Sequence, residues 1–222
     1  LGEGGVKARG GDQKTLTPGN HLIENNHIHH FGQFVSTYRP GAAVYGTGNR
    51  IRHNLIHHAQ HQAVFFNGND HLIEYNIIHD VCLYTSDAGA LYACARDWSQ
   101  RGVVIRHNFI HSTGKGVDGC GSQGIYLDDY TSGATVVGNI CSSVGHAVTT
   151  CGNGNRIENN VSINSRKSSF SLSSRGIDSF AKKNAERGME SPLIRKLVST
   201  KKPYSSASWT TRYPHLPSLL RR

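Results

Sequence analysis

Four segments of this chain are near copies of one another: NHLIENNHIHH from residue 20, NRIRHNLIHH from 49, DHLIEYNIIHD from 70 and GVVIRHNFIHS from 102. A unit this short cannot bury its own apolar face, so the copies must pack on one another. Aligned on one asparagine, the repeat extends through Asn26, Asn54, Asn76, Asn108, Asn139 and Asn160, at spacings of 28, 22, 32, 31 and 21 residues. The short spacings define the unit and the long ones carry insertions. Three residues before each Asn stands Ile23, Ile51, Ile73, Ile105, Val136 or Ile157; two after stand Ile28, Ile56, Ile78 and Ile110, then Cys141 and Ser162. β-Branched residues at these positions suit a pleated, half-buried surface.

Each unit has a further short strand pattern: AAVYGTGN, AVFFNGND, GALYACARD, GIYLDDYTSG and AVTTCGNGN, most running into a turn of Gly, Asn, Asp or Ser. Strands of three to five residues in a unit of about 21 residues are too short to pair within the unit, so each pairs with its copy in the next. The expected fold is all-β, a right-handed parallel β-helix over residues 1–165, with a short helical or irregular extension over 166–222. In such a coil equivalent residues stack about 4.8 Å apart. The asparagines can therefore bond to one another and occupy the left-handed turn, while the Ile columns fill the core. His29, His57, His79 and His111 would form an outward column of imidazoles.

The formal charge of +9 is unevenly spread: residues 1–165 hold 11 Lys+Arg against 12 Asp+Glu, residues 166–222 hold 13 against 3. A neutral body with a basic, solvated tail does not make the basic stripe that binds nucleic acid. No apolar run reaches membrane-spanning length, so no membrane partner is expected. Cys82, Cys94, Cys120, Cys141 and Cys151 contain no C-x-x-C pair and read as buried thiols, with a Cys141–Cys151 bridge as the alternative. HHAQH places His57 and His61 at the spacing of a helical metal pair, but the setting is a strand leaving a turn. No metal and no cofactor is assigned.

Beyond residue 165 the repeat stops. SRKSSFSLSSRG reads as a linker, SFAKKNAERGM and SPLIRKLVS as two short helices, and WTTRYPHLPSLL as an anchor that packs back on the body. Residues 1–20 offer little apolar material to cover a first coil, from which further upstream coils of the same β-helix are expected.

Carboxylates concentrate in the long insertions, as Asp80, Asp87, Asp97, Asp118, Asp128 and Asp129. The phrases TSDAGALYACARDW and GSQGIYLDDYTSG carry Asp87 with Asp97 and Asp128 with Asp129, and their glycines Gly89 and Gly124 are expected to head equivalent strands. Paired carboxylates in a groove are what glycoside hydrolysis needs, one to protonate the leaving oxygen and one to act as base or nucleophile. Tyr92, Tyr126 and Trp98, with Arg96, His57 and His79, would line the site for an oligo- or polysaccharide. Asp97 and Asp129 could instead serve only to cap turns. A polysaccharide lyase or uronate epimerase would need a base and a cation near a uronate, for which Arg96, Arg101 and the His column are candidates. A non-catalytic glycan-binding β-helix is the third reading.

DAGALY, GIYLDD.TSG, the recurring I..N.IH and the ending W..RYPHL together resemble right-handed parallel β-helix proteins related to glycoside hydrolase family 141, which includes α-L-fucosidases and xylanases. The resemblance covers residues 10–165 and returns near 209–220. It implies a catalytic pair at Asp87 and Asp128, with Asp97 and Asp129 as the next candidates, and a secreted or periplasmic location. Because Asp87 precedes Gly89 by two residues and Asp128 follows Gly124 by four, the two meet only if the 79–88 insertion folds back.

Overall fold

The computed structural model describes residues 1–95, 99–114, 121–173 and 205–216. They form a right-handed parallel β-helix with three sheets. One sheet stacks β3 (Leu22–Glu24), β6 (Arg50–Arg52), β9 (Leu72–Glu74), β12 (Val104–Arg106), β15 (Thr135–Val137) and β18 (Arg156–Glu158). The next stacks β4 (His27–His29), β7 (Leu55–His57), β10 (Ile77–His79), β13 (Phe109–His111), β16 (Ile140–Ser142) and β19 (Val161–Ile163). The longest runs β2 (Thr17–Pro18), β1 (Val6–Asp12), β5 (Ala42–Thr47), β8 (Val64–Asn69), β11 (Gly89–Ala95), β14 (Gln123–Asp129), β17 (Val148–Thr150) and β20 (Phe170–Leu172). All pairings are parallel except the β1–β2 hairpin. The expected linker thus contains a strand, β20, paired with β17.

Register follows the repeat: Ile23, Ile51, Ile73, Ile105, Val136 and Ile157 align across the first sheet, and Ile28, Ile56, Ile78, Ile110 and Cys141 across the second. From Ile51 to Ile110 these side chains are fully buried, each contributing roughly 1.5–3 kcal/mol of hydrophobic stabilisation. Beside them runs the asparagine ladder. Each Nδ2 donates to the Oδ1 of the next coil's Asn at 2.9–3.0 Å, and each backbone N–H donates to the same oxygen at 3.0 Å.

The ladder asparagines do not themselves take the left-handed conformation. It falls on the residue before each of them: Asn25, His53, Tyr75, His107, Gly138 and Asn159. Two further left-handed columns lie six residues before and four residues after the ladder Asn, for example Asp70 and Asp80 around Asn76. Three sharp corners, five residues apart, leave room for strands of only three residues. The ladder side chain must turn inward to reach its neighbour, so the corner conformation passes to the preceding residue.

A six-residue helix, α1 (Ala207–Arg212), packs on the flank. Trp209 is completely buried and its Nε1 donates to the carbonyls of Gln13 and Lys14, both at 3.0 Å. Tyr213 Oη donates to Asp70 Oδ1 at 3.0 Å and Arg212 pairs with Asp70 at 3.0 Å. These contacts join Trp209, Arg212 and Tyr213 to Gln13, Lys14 and Asp70. The two short helices expected between 179 and 199 lie outside the described residues. Among those described, no helix is long and apolar enough to cross a membrane. Cys82, Cys94, Cys141 and Cys151 carry no disulfide, so no Cys141–Cys151 bridge forms; Cys120 lies outside the described residues.

Candidate active site

Alternation along β11 and β14 sends Leu91, Ala93, Ile125 and Leu127 into the core and Tyr92, Cys94, Tyr126 and Asp128 to the outer face of the long sheet. The register pairs Gly89 with Gln123, not with Gly124 as the glycine phrases suggest. Tyr92 therefore sits beside Tyr126, Cys94 beside Asp128 and Ala95 beside Asp129. The two tyrosine rings meet edge to face at 5.5 Å, with Phe65 against Tyr92 at 6.2 Å.

Asp128 is 8 % exposed and surrounded by donors. Tyr92 Oη donates to its Oδ2 at 3.0 Å and the Asp129 backbone N–H to its Oδ1 at 2.7 Å. Asp129, in the left-handed conformation at the end of β14, accepts from Cys94 Sγ at 3.0 Å. The turn itself is closed by Thr131, whose Oγ1 accepts from the Ala95 N–H at 3.0 Å and donates to the Asp128 carbonyl at 2.8 Å.

Asp87 arrives from the 79–88 insertion, which folds back over the neighbouring coil. The N–H groups of Cys82, Leu83 and Tyr84 donate to the carbonyls of His61, Ala59 and Gln60 at 3.0–3.3 Å, and Ser122 Oγ holds the Thr85 carbonyl at 2.6 Å. The exposed Asp87 carboxylate then accepts from Tyr126 Oη at 3.3 Å. Tyr126 also interacts with Asp128, so both carboxylates converge on one phenol. Burial, reinforced by Asp128 and its neighbouring Cys94 or Asp87, pushes the pKa of Tyr92 and Tyr126 well above 10, and both phenols remain donors across the physiological range.

His61 was legible in HHAQH only as half of a metal pair. In the structure it is a buried neutral imidazole: burial lowers its pKa, against smaller raising effects of a Gln62 hydrogen bond and the Asp87 carboxylate. Its signal would have been its place one coil below Asp87, which requires the insertion's path.

His57 and His79 are not at this site. They belong to the second sheet, in a stack running from His29 through His57 and His79 to His111, with ring centroids 5.3, 4.7 and 4.8 Å apart and planes within 10°. Burial, followed by the surrounding imidazoles of His79, His58, His27 and His29, lowers the His57 pKa to about 4. Arg96, Asp97, Trp98 and Asp118 lie outside the described residues. Among the described residues, two side-chain groups have metal-binding donors within 4.8 Å of one another: Cys94, Asp128 and Asp129 at the carboxylate site, and His58, His79 and Asp80 at the histidine stack. A depression of about 1040 Å³ beneath α1, lined among others by Arg50, Asp70, Arg106 and Arg212, includes neither Asp87 nor Asp128 nor Asp129.

Comparison with family models, curated proteins and solved structures finds no match for this chain. The fold and the outer-face site stand on the geometry alone.

Proposed function

We propose that this chain is a glycoside hydrolase, of the kind its resemblance to family 141 implies, in which Asp87 and Asp128 flank a glycosidic bond laid against Tyr92 and Tyr126. The observation that carries this reading is the convergence of both carboxylates on the Tyr126 hydroxyl. Asp128, buried and held by donors on both oxygens, suits the nucleophile or base. Asp87, exposed on a loop at the rim, suits the acid that protonates the departing sugar. A carboxyl separation of about 5 Å gives retention and roughly 6.5–9.5 Å gives inversion, and two carboxylates that act on one phenol favour the closer spacing. Retention through a glycosyl–Asp128 intermediate is the expected outcome.

The test is turnover of aryl α-L-fucosides, aryl β-xylosides and xylan by the wild-type chain and by Asp87→Asn and Asp128→Asn. Each variant keeps the side-chain volume and loses the proton chemistry, and each is expected to lose roughly 100-fold or more in rate. Full activity in either variant would remove that residue from the mechanism.

A second reading is favoured by His61, neutral and beside Asp87, which could act as the base of a polysaccharide lyase or uronate epimerase. The raised pKa of both tyrosines opposes a phenolate base, leaving the imidazole as that reading's candidate. An unsaturated, ultraviolet-absorbing product would select it over hydrolysis.

A further inference from the structure

The residue after each stacked histidine occupies a left-handed corner: His30, His58, Asp80 and Ser112 follow His29, His57, His79 and His111. In an extended strand consecutive side chains point to opposite faces, but a left-handed corner swings the second one round beside the first. Paired nitrogen and oxygen donors therefore recur coil after coil. His29 Nδ1 lies 2.8 Å from His30 Nδ1, His57 Nδ1 lies 2.5 Å from His58 Nδ1, and His79 Nδ1 lies 2.7 Å from Asp80 Oδ2. His27 Nε2 adds a further approach to His57 Nε2, at 2.7 Å. Imidazole lone pairs facing one another at such distances repel unless a proton or a cation lies between them.

We propose that His58, His79 and Asp80 form a binding site for a borderline divalent transition-metal ion, with Zn²⁺ the best fit, that staples two neighbouring coils where the 79–88 insertion leaves the β-helix. One donor atom from each residue lies within 4.8 Å of the other two. Metal–ligand bonds of about 2.0–2.2 Å in a tetrahedron bring donors to roughly 3.4 Å apart, so closure needs only a modest rotation of half-exposed side chains. Two imidazoles and one carboxylate are the ligand types that Zn²⁺ takes, with the fourth position open to water on the solvent side.

The site's position gives it a consequence. The Ala59 N–H donates to the Asp80 carbonyl at 3.1 Å, and from there the insertion pairs with residues 59–61 through the Cys82, Leu83 and Tyr84 amides. A metal joining His58 to His79 and Asp80 clamps the root of that pairing. The proposal does not depend on the hydrolase reading, since binding and loop order are measurable without a substrate.

The test uses the chain without a polyhistidine tag, titrated calorimetrically with Zn²⁺ alone after treatment with a chelator. One ion per chain is expected, with a rise in thermal midpoint and slower hydrogen exchange at the Cys82 and Leu83 amides. His79→Phe keeps a ring in the stack but removes the donor, and Asp80→Asn and His58→Asn keep residues that tolerate the left-handed corner. Each is expected to weaken binding at least tenfold, while His111→Phe and His29→Phe change it less than about threefold. The visible absorption of the Co²⁺ form should report a low-coordinate site of nitrogen and oxygen ligands, lost in His79→Phe. Absence of stoichiometric binding, binding that survives His79→Phe, or equal loss in the His29 and His111 variants would overturn the assignment; the last would mean dispersed capture by surface imidazoles.

Discussion

Removing one rung of the asparagine ladder tests the physics that holds the coils together. In Asn76→Ala the lost Oδ1 is the acceptor for both the backbone N–H and the Nδ2 of Asn54, each at 3.0 Å. The lost Nδ2 serves the Ile51 carbonyl at 3.1 Å, the Glu74 carbonyl at 3.0 Å and Asn108 Oδ1 at 2.9 Å. Several of these groups keep another partner: Asn54 Nδ2 still reaches the Ile23 and Arg52 carbonyls, the Glu74 carbonyl still accepts from His53, and Asn108 Oδ1 still accepts from the Asn76 N–H. The Asn54 N–H has its ladder acceptor removed in a site that is 2 % exposed. Stranding one buried donor costs about 1–3 kcal/mol, and the loss of the remaining ladder bonds adds to it, so about 2–4 kcal/mol is expected. In Asn160→Ala the substituted side chain is itself half-buried at the end of the ladder, so water can take its place beside the buried Asn139 and roughly 1 kcal/mol is expected. The comparison is read from urea midpoints of the two variants and from hydrogen exchange at the Asn54 amide. Equal destabilisation by the two substitutions, or unchanged protection of that amide in Asn76→Ala, would refute a continuous, cooperative ladder.

Trp209→Ala empties a fully buried site and strands the Gln13 and Lys14 carbonyls, so a loss of about 3–5 kcal/mol is expected by denaturant unfolding. In Tyr126→Phe the ring packing is kept and the hydroxyl between Asp87 and Asp128 is lost; turnover should fall well before stability does, as judged by comparing kcat with the thermal midpoint. The metal-free chain should show a His57 imidazole titrating near 4 by NMR. Because that folded value lies below the ordinary 6.5, protonation favours the unfolded chain: the His57 contribution is present above about pH 6.5 and is lost as pH falls towards 4. A normal titration near 6.5 would show that the imidazole stack is not formed.

Much of this architecture is written in local periodicity. The Ile columns, the ladder from Asn26 to Asn160 and the outward stack of His29, His57, His79 and His111 each depend on a fixed offset within one repeat, and a stacked fold converts that offset directly into adjacency. The left-handed corner was misplaced by one residue because Asn is the residue type that tolerates it best, whereas the ladder hydrogen bonds hold Asn76 inward and leave the corner to Tyr75. The density of carboxylates between Asn76 and Asn139 pointed to the outer-face site. The meeting of Asp87 with Tyr126 could not be read in the same way, since it depends on backbone bonds from Cys82, Leu83 and Tyr84 to the coil below and on Ser122 from the coil above. The partnership of His58 with His79 and Asp80 was hidden for a related reason: it joins residues from two coils through corner geometry, while HHAQH suggests a pairing within one segment.

The most direct measurement is covalent trapping of the nucleophile. An activated 2-deoxy-2-fluoro glycoside of a sugar that the chain hydrolyses slows release of the glycosyl-enzyme, and peptide mass mapping then locates the attached sugar. The account predicts one label per chain, on Asp128, absent in Asp128→Asn and still formed in Asp87→Asn when the leaving group needs no protonation. A label on Asp129, or hydrolysis that proceeds with inversion and leaves no label, would contradict the assignment of Asp128 as the nucleophile of this site.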